Sequence, residues 1–152
     1  MEDAPNVDYM ARYLAKIQQQ YTQQGGVRPF GIATLMTGIG ADPSQPNRPF
    51  LYQTDPAGTH SRWKAQVIGG RNAKSLREFL EKQYTADMTE DQCIRLAAQA
   101  LLEVVDSGAK TMELCVVKEG GVKVLLADTE VEAVVQGIEA EQAEPAAAAS
   151  TE

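Results

Sequence analysis

Short turns between strand-like runs constrain the fold of this chain more than any other feature. Phe50 to Thr54 and Arg62 to Gly69 are two such runs, and the residues between them begin with Asp55-Pro56-Ala57-Gly58. Proline at the second position and glycine at the fourth are typical of a type I turn. Because a connection this short joins antiparallel neighbours, the sequence predicts an antiparallel pair here.

Further strands are predicted on either side of this pair. Met112 to Lys118 and Val122 to Leu126 flank Glu119-Gly120-Gly121, a pattern that predicts a β-hairpin. Phe30 to Gly38 is rich in small, apolar and β-branched residues on both alternating faces. That composition is typical of a strand covered on both sides, so we expect several layers.

Four segments show the three- and four-residue spacing of helices that bury one face. The third has the strongest periodicity in the chain and follows Thr89 and Gln92, which have the spacing of a capping box. The side chains predicted to face inward are, helix by helix, Met10, Tyr13, Leu14, Ile17 and Tyr21; Ala73, Leu76, Leu80 and Tyr84 with Phe79 beside them; Ile94, Ala97, Ala98, Leu101, Leu102 and Val105; and Val131, Val134, Val135 and Ile138.

Other helix ends also have recognisable residues. Asn6 is predicted to cap the first helix, and Gly25-Gly26 to end it. Gly108 stands where a left-handed residue would end the third helix. Thr129 and Glu132 are predicted to form a capping box at the start of the last helix.

The order of elements predicts an α+β fold. Helix, three strands, two helices, two strands and helix, with hairpin or helical-pair connections, favours antiparallel sheets with helices packed outside them over a parallel doubly wound sheet. Residues 1–140 are long enough for one domain. Residues 141–152 are acidic and then alanine-rich, so we expect a disordered tail there.

Composition excludes several classes of partner. With 14 basic and 21 acidic side chains the net charge is -7, which disfavours nucleic acid and anionic lipid. The acidic N-terminus lacks the pattern of a signal peptide, and no apolar run is long enough for a bilayer. We therefore expect a soluble intracellular protein, with Cys93 and Cys115 as reduced, buried thiols.

Motifs for catalysis or ligand binding are incomplete. The segment from Gly69 to Ser75 resembles a phosphate loop, but Ala73 and Ile68 occupy the positions that require glycine. His60 is the only histidine, is expected in solvent after the turn, and has no nucleophile motif or short-spaced metal ligands near it. We predict no catalytic, cofactor-binding or metal-binding residue.

Several segments together resemble one family. RPFGIATLMTGIG from Arg28, LYQTDPAGTHSRWKAQVIGG from Leu51, AKSLREFLEKQY from Ala73 and ALLEVVDSGAKTMELCVVK from Ala100 resemble the α-type subunits of the 20S proteasome. Each motif is of moderate specificity, but their collinear order over most of residues 7–140 is specific.

The resemblance implies an αββα antiparallel sandwich of the N-terminal nucleophile hydrolase type. It also implies a non-catalytic subunit in the cytoplasm and nucleus, whose partners are neighbouring α subunits and the β ring. The family's N-terminal portion, with its gating tail and first strands, is expected to be missing. Unpaired sheet edges and uncovered apolar faces would then make the isolated chain marginally stable or prone to aggregate.

Two alternatives remain. One is a stand-alone interaction module made from a proteasome-like half-fold. The other is a threonine protease, which would need cleavage behind glycine to expose Thr59, the only threonine in a Gly-Thr step. Cleavage at that turn would detach part of the sheet, so we favour the structural subunit.

Overall fold

The computed structural model describes residues 4–40, 42, 44–45, 47–70, 72–105 and 108–148, and leaves out the side chains of residues 108, 110 and 142–148. Its elements follow the predicted order, with additional 3-10 turns at Gly108–Thr111 and Glu119–Gly121. The helices and strands are α1 (Val7–Gln23), β1 (Thr34–Ile39), β2 (Pro49–Thr54), β3 (His60–Trp63), α2 (Ala73–Gln83), α3 (Glu90–Leu102), β4 (Cys115–Val117), β5 (Lys123–Leu125) and α4 (Asp128–Ala148).

The chain divides into two compact units. The first contains residues 1–73 and 117–123, and the second contains residues 74–116 and 124–152. The mixture of helices with antiparallel strands confirms an α+β fold.

The first unit contains an antiparallel sheet in the order β1-β2-β3. The predicted turn joins β2 to β3, where the N–H of Gly58 donates to the carbonyl of Asp55 at 3.0 Å. The strand β1 begins four residues later than predicted, and its residue Thr37 is exposed, so the expected cover on both sides is incomplete. The strand β3 ends at Trp63 rather than near residue 69.

The helix α1 packs on this sheet through small side chains. Asn6 caps it as predicted, with its side-chain oxygen accepting the N–H of Tyr9 at 2.8 Å. The residues buried along α1 are Val7, Ala11, Ala15 and Gln18. A Cβ atom on Gly38 would lie 3.3 Å from the Cβ of Val7, so helix and strand approach closely there.

The predicted inward face of α1 is therefore wrong. Met10, Tyr13 and Tyr21 are 40%, 52% and 37% exposed, and Leu14 and Ile17 are only half-buried. Periodicity correctly identified an apolar stripe, but the close approach of α1 to the sheet selects the adjacent face of small residues.

The second unit has a core of larger aliphatic side chains. Its buried members come from α3, α4 and the segment before β4: Ala98, Met112, Leu114, Val131, Val135 and Ile138. The predicted inward residues of α4 are confirmed, and Leu76 and Leu80 of α2 are buried as expected.

The third helix departs from prediction at several positions. Ile94, Ala98, Leu102 and Val105 belong to or pack against the core, as predicted. However, Ala97 and Leu101 are exposed, whereas Leu96 and Ala100 are buried instead. Because Leu96 and Ala98 are about 200° apart on a helix, α3 buries two sides rather than one.

The predicted capping box at the start of α3 is confirmed, whereas the predicted caps at the end of α3 and at the start of α4 are wrong. Thr89 and Gln92 form the predicted capping box. The helix α3 ends at Leu102, so Gly108 does not cap it and instead begins a 3-10 turn. The helix α4 begins before Thr129, and Glu130 accepts the N–H of Ala127 at 2.8 Å, a bond that a box at Thr129 and Glu132 would not make.

The C-terminal segment also differs from expectation. We predicted a disordered tail over residues 141–152, whereas α4 continues to Ala148. Alanine and glutamate, which make up most of residues 141–148, have high helix propensity, and Pro145 opposes it. The predicted tail over residues 149–152 lies outside the described residues.

Candidate functional site

The turn between β2 and β3 holds the only threonine that could resemble an N-terminal nucleophile. The hydroxyl of Thr59 donates to the carboxylate of Asp55, and its backbone N–H donates to the same carboxylate at 3.1 Å. The carbonyl of Thr59 accepts the N–H of Asp55 at 3.2 Å. An N-terminal nucleophile uses a free amine as its base, whereas here the nitrogen of Thr59 is a peptide N–H engaged in the turn.

The same contacts set the protonation of Asp55. Hydrogen bonding from the Thr59 hydroxyl is the largest cause that lowers the pKa of the Asp55 carboxyl, and desolvation by burial opposes it. The carboxylate is therefore ionised at neutral pH and serves as an acceptor that fixes the turn. It is not in the protonated form that a general acid needs.

A small cleft lies beside this turn. It has a volume of about 130 Å³ and is lined by Gln53, Thr54, Asp55, Thr59, Ser61 and Trp63. Typical small-molecule sites have volumes of roughly 300–1,000 Å³, so this cleft is small for a substrate. The Thr54 hydroxyl is fully buried and has no hydrogen-bond partner within the described part of the chain.

The other sequence motifs do not converge on a site. His60 is exposed at the start of β3, as predicted. Gly69 and Gly70 have φ values of 77° and 79° before α2, while Arg71 of the phosphate-loop-like segment lies outside the described residues. Within the residues that the structure describes, no group of three or more His, Cys, Asp and Glu side chains could hold a metal ion.

The two cysteines correct one prediction. Both Cys93 and Cys115 are free thiols, but both are exposed rather than buried. Cys93 lies in the first turn of α3, and Cys115 begins β4 with its side chain outward. An apolar local sequence thus did not determine which face of the element is covered.

Charged groups line one side of the first unit. Arg12 pairs with Asp8 at 2.8 Å, and the Arg62 guanidinium lies 3.8 Å from the centre of the Phe50 ring. Burial is the main cause that raises the pKa of Tyr52, and hydrogen bonding to Asp8 adds to it. The contact of Tyr52 with Asp8 joins β2 to α1, and the contact of Arg62 with Phe50 joins β3 to β2.

Exposed apolar side chains are the feature most suggestive of function. In the first unit they include Met10, Tyr13, Tyr21, Val27, Ile32, Trp63 and Val122, and in the second Leu101, Val104, Val124 and Leu125. Concentrations of exposed apolar surface mark sites of protein–protein interaction. No helix in the described ranges is both long and apolar enough to cross a bilayer.

Comparison with known proteins identifies the family of the chain. The sequence model of the proteasome subunit family matches residues 1–117. Proteasome subunit alpha type-7 of Dictyostelium discoideum is 50% identical over 142 residues, covering 93% of this chain and 54% of the relative. The tomato (Solanum lycopersicum) protein of that name is 52% identical over 149 residues, covering 97% and 55%.

A yeast relative extends the match beyond that name. Proteasome subunit alpha type-4 of Saccharomyces cerevisiae is 48% identical over 145 residues, covering 93% of this chain and 56% of its own length. The chain thus spans about half the length of these curated relatives. The resemblance inferred from the sequence motifs is confirmed, and this chain belongs to the proteasome subunit family.

Proposed function

We propose that this protein is a structural, non-catalytic subunit of the α ring of the 20S proteasome. One observation carries the proposal: about half of the aligned residues are identical to α-type subunits along 93–97% of the chain. In this role the chain contacts neighbouring α subunits and the β ring. It supports core assembly and substrate entry in ubiquitin-dependent protein degradation, in cytoplasm and nucleus.

The exposed apolar residues fit this role. A monomeric soluble protein rarely leaves many large apolar side chains uncovered, whereas a ring subunit buries them against its neighbours. Tyr13, Ile32, Val122 and Leu125 are each more than half exposed, so burial at these positions would remove the largest fractions of side-chain surface from water. Aromatic residues are enriched at protein interfaces, which favours an interface at the outer face of α1.

The αββα sandwich of the N-terminal nucleophile hydrolases remains part of the proposal. The helix α1 covers one face of the three-stranded sheet. Leu35, Leu51 and Trp63 alternate onto the opposite face, where the first two are half-buried and Trp63 is 43% exposed. Two sheets pack about 10 Å apart through such faces, so a second sheet would complete the burial here.

Assembly in cells tests the proposal. The chain carries an affinity tag, and the extract is separated on a native gel and probed for the tag and for proteasome subunits. We expect the chain to migrate with α-ring intermediates or with the complete core. A stable complex free of other proteasome subunits would instead support the stand-alone module.

The protease alternative has its own experiment. Purified chain is incubated with fluorogenic peptides beside a Thr59→Ala variant. We expect no turnover from either protein, because the nitrogen of Thr59 is held in a peptide bond within the turn. Turnover that disappears in the variant would contradict a non-catalytic role.

A further inference from the structure

The helix α4 continues well past the core that it helps to form. Among the side chains that the structure describes, the last one of α4 in that core is Ile138, which is fully buried. Glu139, Ala140 and Glu141 are all exposed, yet the helix runs on to Ala148. We call residues 139–148 the α4 extension. Most helical stability in proteins comes from packing an apolar face, and the described side chains of the extension provide no such face.

The sequence of the α4 extension also weakens its helix. Pro145 lacks the N–H that would donate to the carbonyl of Glu141 in a regular helix. The extension is acidic and has no basic residue in its last turn, although positive charge is what stabilises the C-terminal end of a helix. Local unfolding of the extension should therefore cost less free energy than unfolding of the part of α4 in the core.

An ion pair connects the α4 extension to α3. The Nη2 atom of Arg95 lies 2.7 Å from the Oε1 atom of Glu141. The same nitrogen would lie 3.6 Å from a Cβ atom on Gly137, one turn before Glu141, so the guanidinium passes close to the backbone of α4 there. Arg95 is itself held in place by α3, whose residues Leu96 and Ala98 are buried.

This ion pair is only partly surrounded by water. The side chain of Arg95 is 40% exposed and that of Glu141 is 61% exposed. The Nε atom of Arg95 is buried and has no hydrogen-bond partner within the described ranges. Solvent screens a pair less when one partner is partly covered, so this pair should contribute more than one in open solvent, although still modestly.

From these observations we propose that Arg95 and Glu141 form an electrostatic latch that determines how far α4 remains helical beyond its core. While the pair is formed, the α4 extension is held to α3 and stays helical. When the pair is broken, the extension unfolds back toward Ile138. The fold thus contains a local conformational switch that responds to ionic strength and to the loss of either charge.

Hydrogen exchange on the purified full chain tests the latch. In a continuous helix the N–H groups of residues 142–144 donate to the carbonyls of residues 138–140, so their protection factors, measured by NMR, report on the extension. We expect Glu141→Gln to lower these factors by about twofold to fivefold, and Arg95→Gln to lower them similarly. Protection of the Val135 amide in the core should not change, which verifies that each variant is folded.

The matched control is Glu139→Gln, an exposed position on the same helix that changes the net charge equally. It should leave the protection of residues 142–144 unchanged. A double variant with the charges exchanged, Arg95→Glu and Glu141→Arg, should recover most of the protection. Raising the salt concentration to about 0.5 M should lower protection in the unsubstituted chain but not in the Glu141→Gln variant.

Equal losses of protection in the Glu139→Gln and Glu141→Gln variants would overturn the inference. A charge-exchanged variant that exchanges as fast as Glu141→Gln would overturn it too. These outcomes concern the contact between α3 and α4 and leave the proposed role in the α ring to its own experiment.

Discussion

The two units of the molecule bury different kinds of side chain. In the first unit the helix meets the sheet through Val7, Ala11 and Ala15, and the buried polar residues Gln18 and Thr54 lie in this same unit. In the second unit the core is mainly large aliphatic residues, among them Ile138 and Val135. The first unit therefore depends more on close backbone approach, and the second more on the apolar area that it removes from water.

The difference also explains where apolar residues remain uncovered. Because α1 uses small residues to approach the sheet, its large ones are left on other faces of the helix. The first unit thus leaves apolar side chains of α1 uncovered, whereas α4 directs Val131, Val135 and Ile138 into its own core.

The largest expected effect tests the core of the second unit. Ile138→Ala removes three carbon atoms from a fully buried side chain. We expect the free energy of unfolding to fall by about 2–5 kcal/mol, measured by urea denaturation. Leu125→Ala, at a position that is 66% exposed, is the control and should change it by less than about 0.5 kcal/mol. Equal losses in both variants would remove the contrast between core and surface.

The second-largest expected effect tests the close approach of α1 to the turn between β2 and β3 in the first unit. Gly58 has a φ of +88°, and a Cβ atom there would lie 2.6 Å from the Cβ of Gln19 and 2.8 Å from the carbonyl oxygen of Ala15. Gly58→Ala should destabilise the chain by roughly 3 kcal/mol through backbone strain and steric overlap.

Gly69→Ala is a matched control for backbone strain alone. Its φ is +77°, but a Cβ atom there would meet nothing within 4 Å. We expect a loss of about 1 kcal/mol in the same urea measurement. Similar losses at Gly58 and Gly69 would show that contact with α1 is unimportant.

The smallest effect tests the polar groups buried in the first unit. Thr54→Val replaces a buried hydroxyl that lacks a partner among the described residues with a methyl group of similar size. We expect about 1 kcal/mol of stabilisation, visible as a higher melting temperature. The same change at exposed Thr37 should have little effect, and destabilisation by Thr54→Val would indicate that the hydroxyl is hydrogen-bonded after all.

Local sequence predicted local structure well. The capping box at Thr89, the cap at Asn6 and the turn at Asp55 depend on residues within four positions of one another. Such hydrogen bonds join residues that are close in the sequence, so their residue types are informative. Gly108 was misleading because α3 ended earlier, at a residue without a special cap.

Which faces of the elements are buried could not be predicted from the sequence, because this depends on tertiary packing. Periodicity cannot show which of two adjacent faces of α1 approaches the sheet, because that choice depends on Gly38 and Gly58, far away in the sequence. The exposure of Cys93 and Cys115 depends in the same way on which faces are covered. For the candidate site, the family was evident from collinear motifs, whereas the location of its exposed apolar surface required coordinates.

Trp63 provides an intrinsic fluorescence signal for association. It is the only tryptophan in the chain, and it lies on the edge strand β3 with 43% of its surface exposed. Indole emission shifts to shorter wavelength when the ring leaves water. Any association that covers this face of the sheet will therefore shift the emission maximum of Trp63. Binding can thus be followed without attaching a dye.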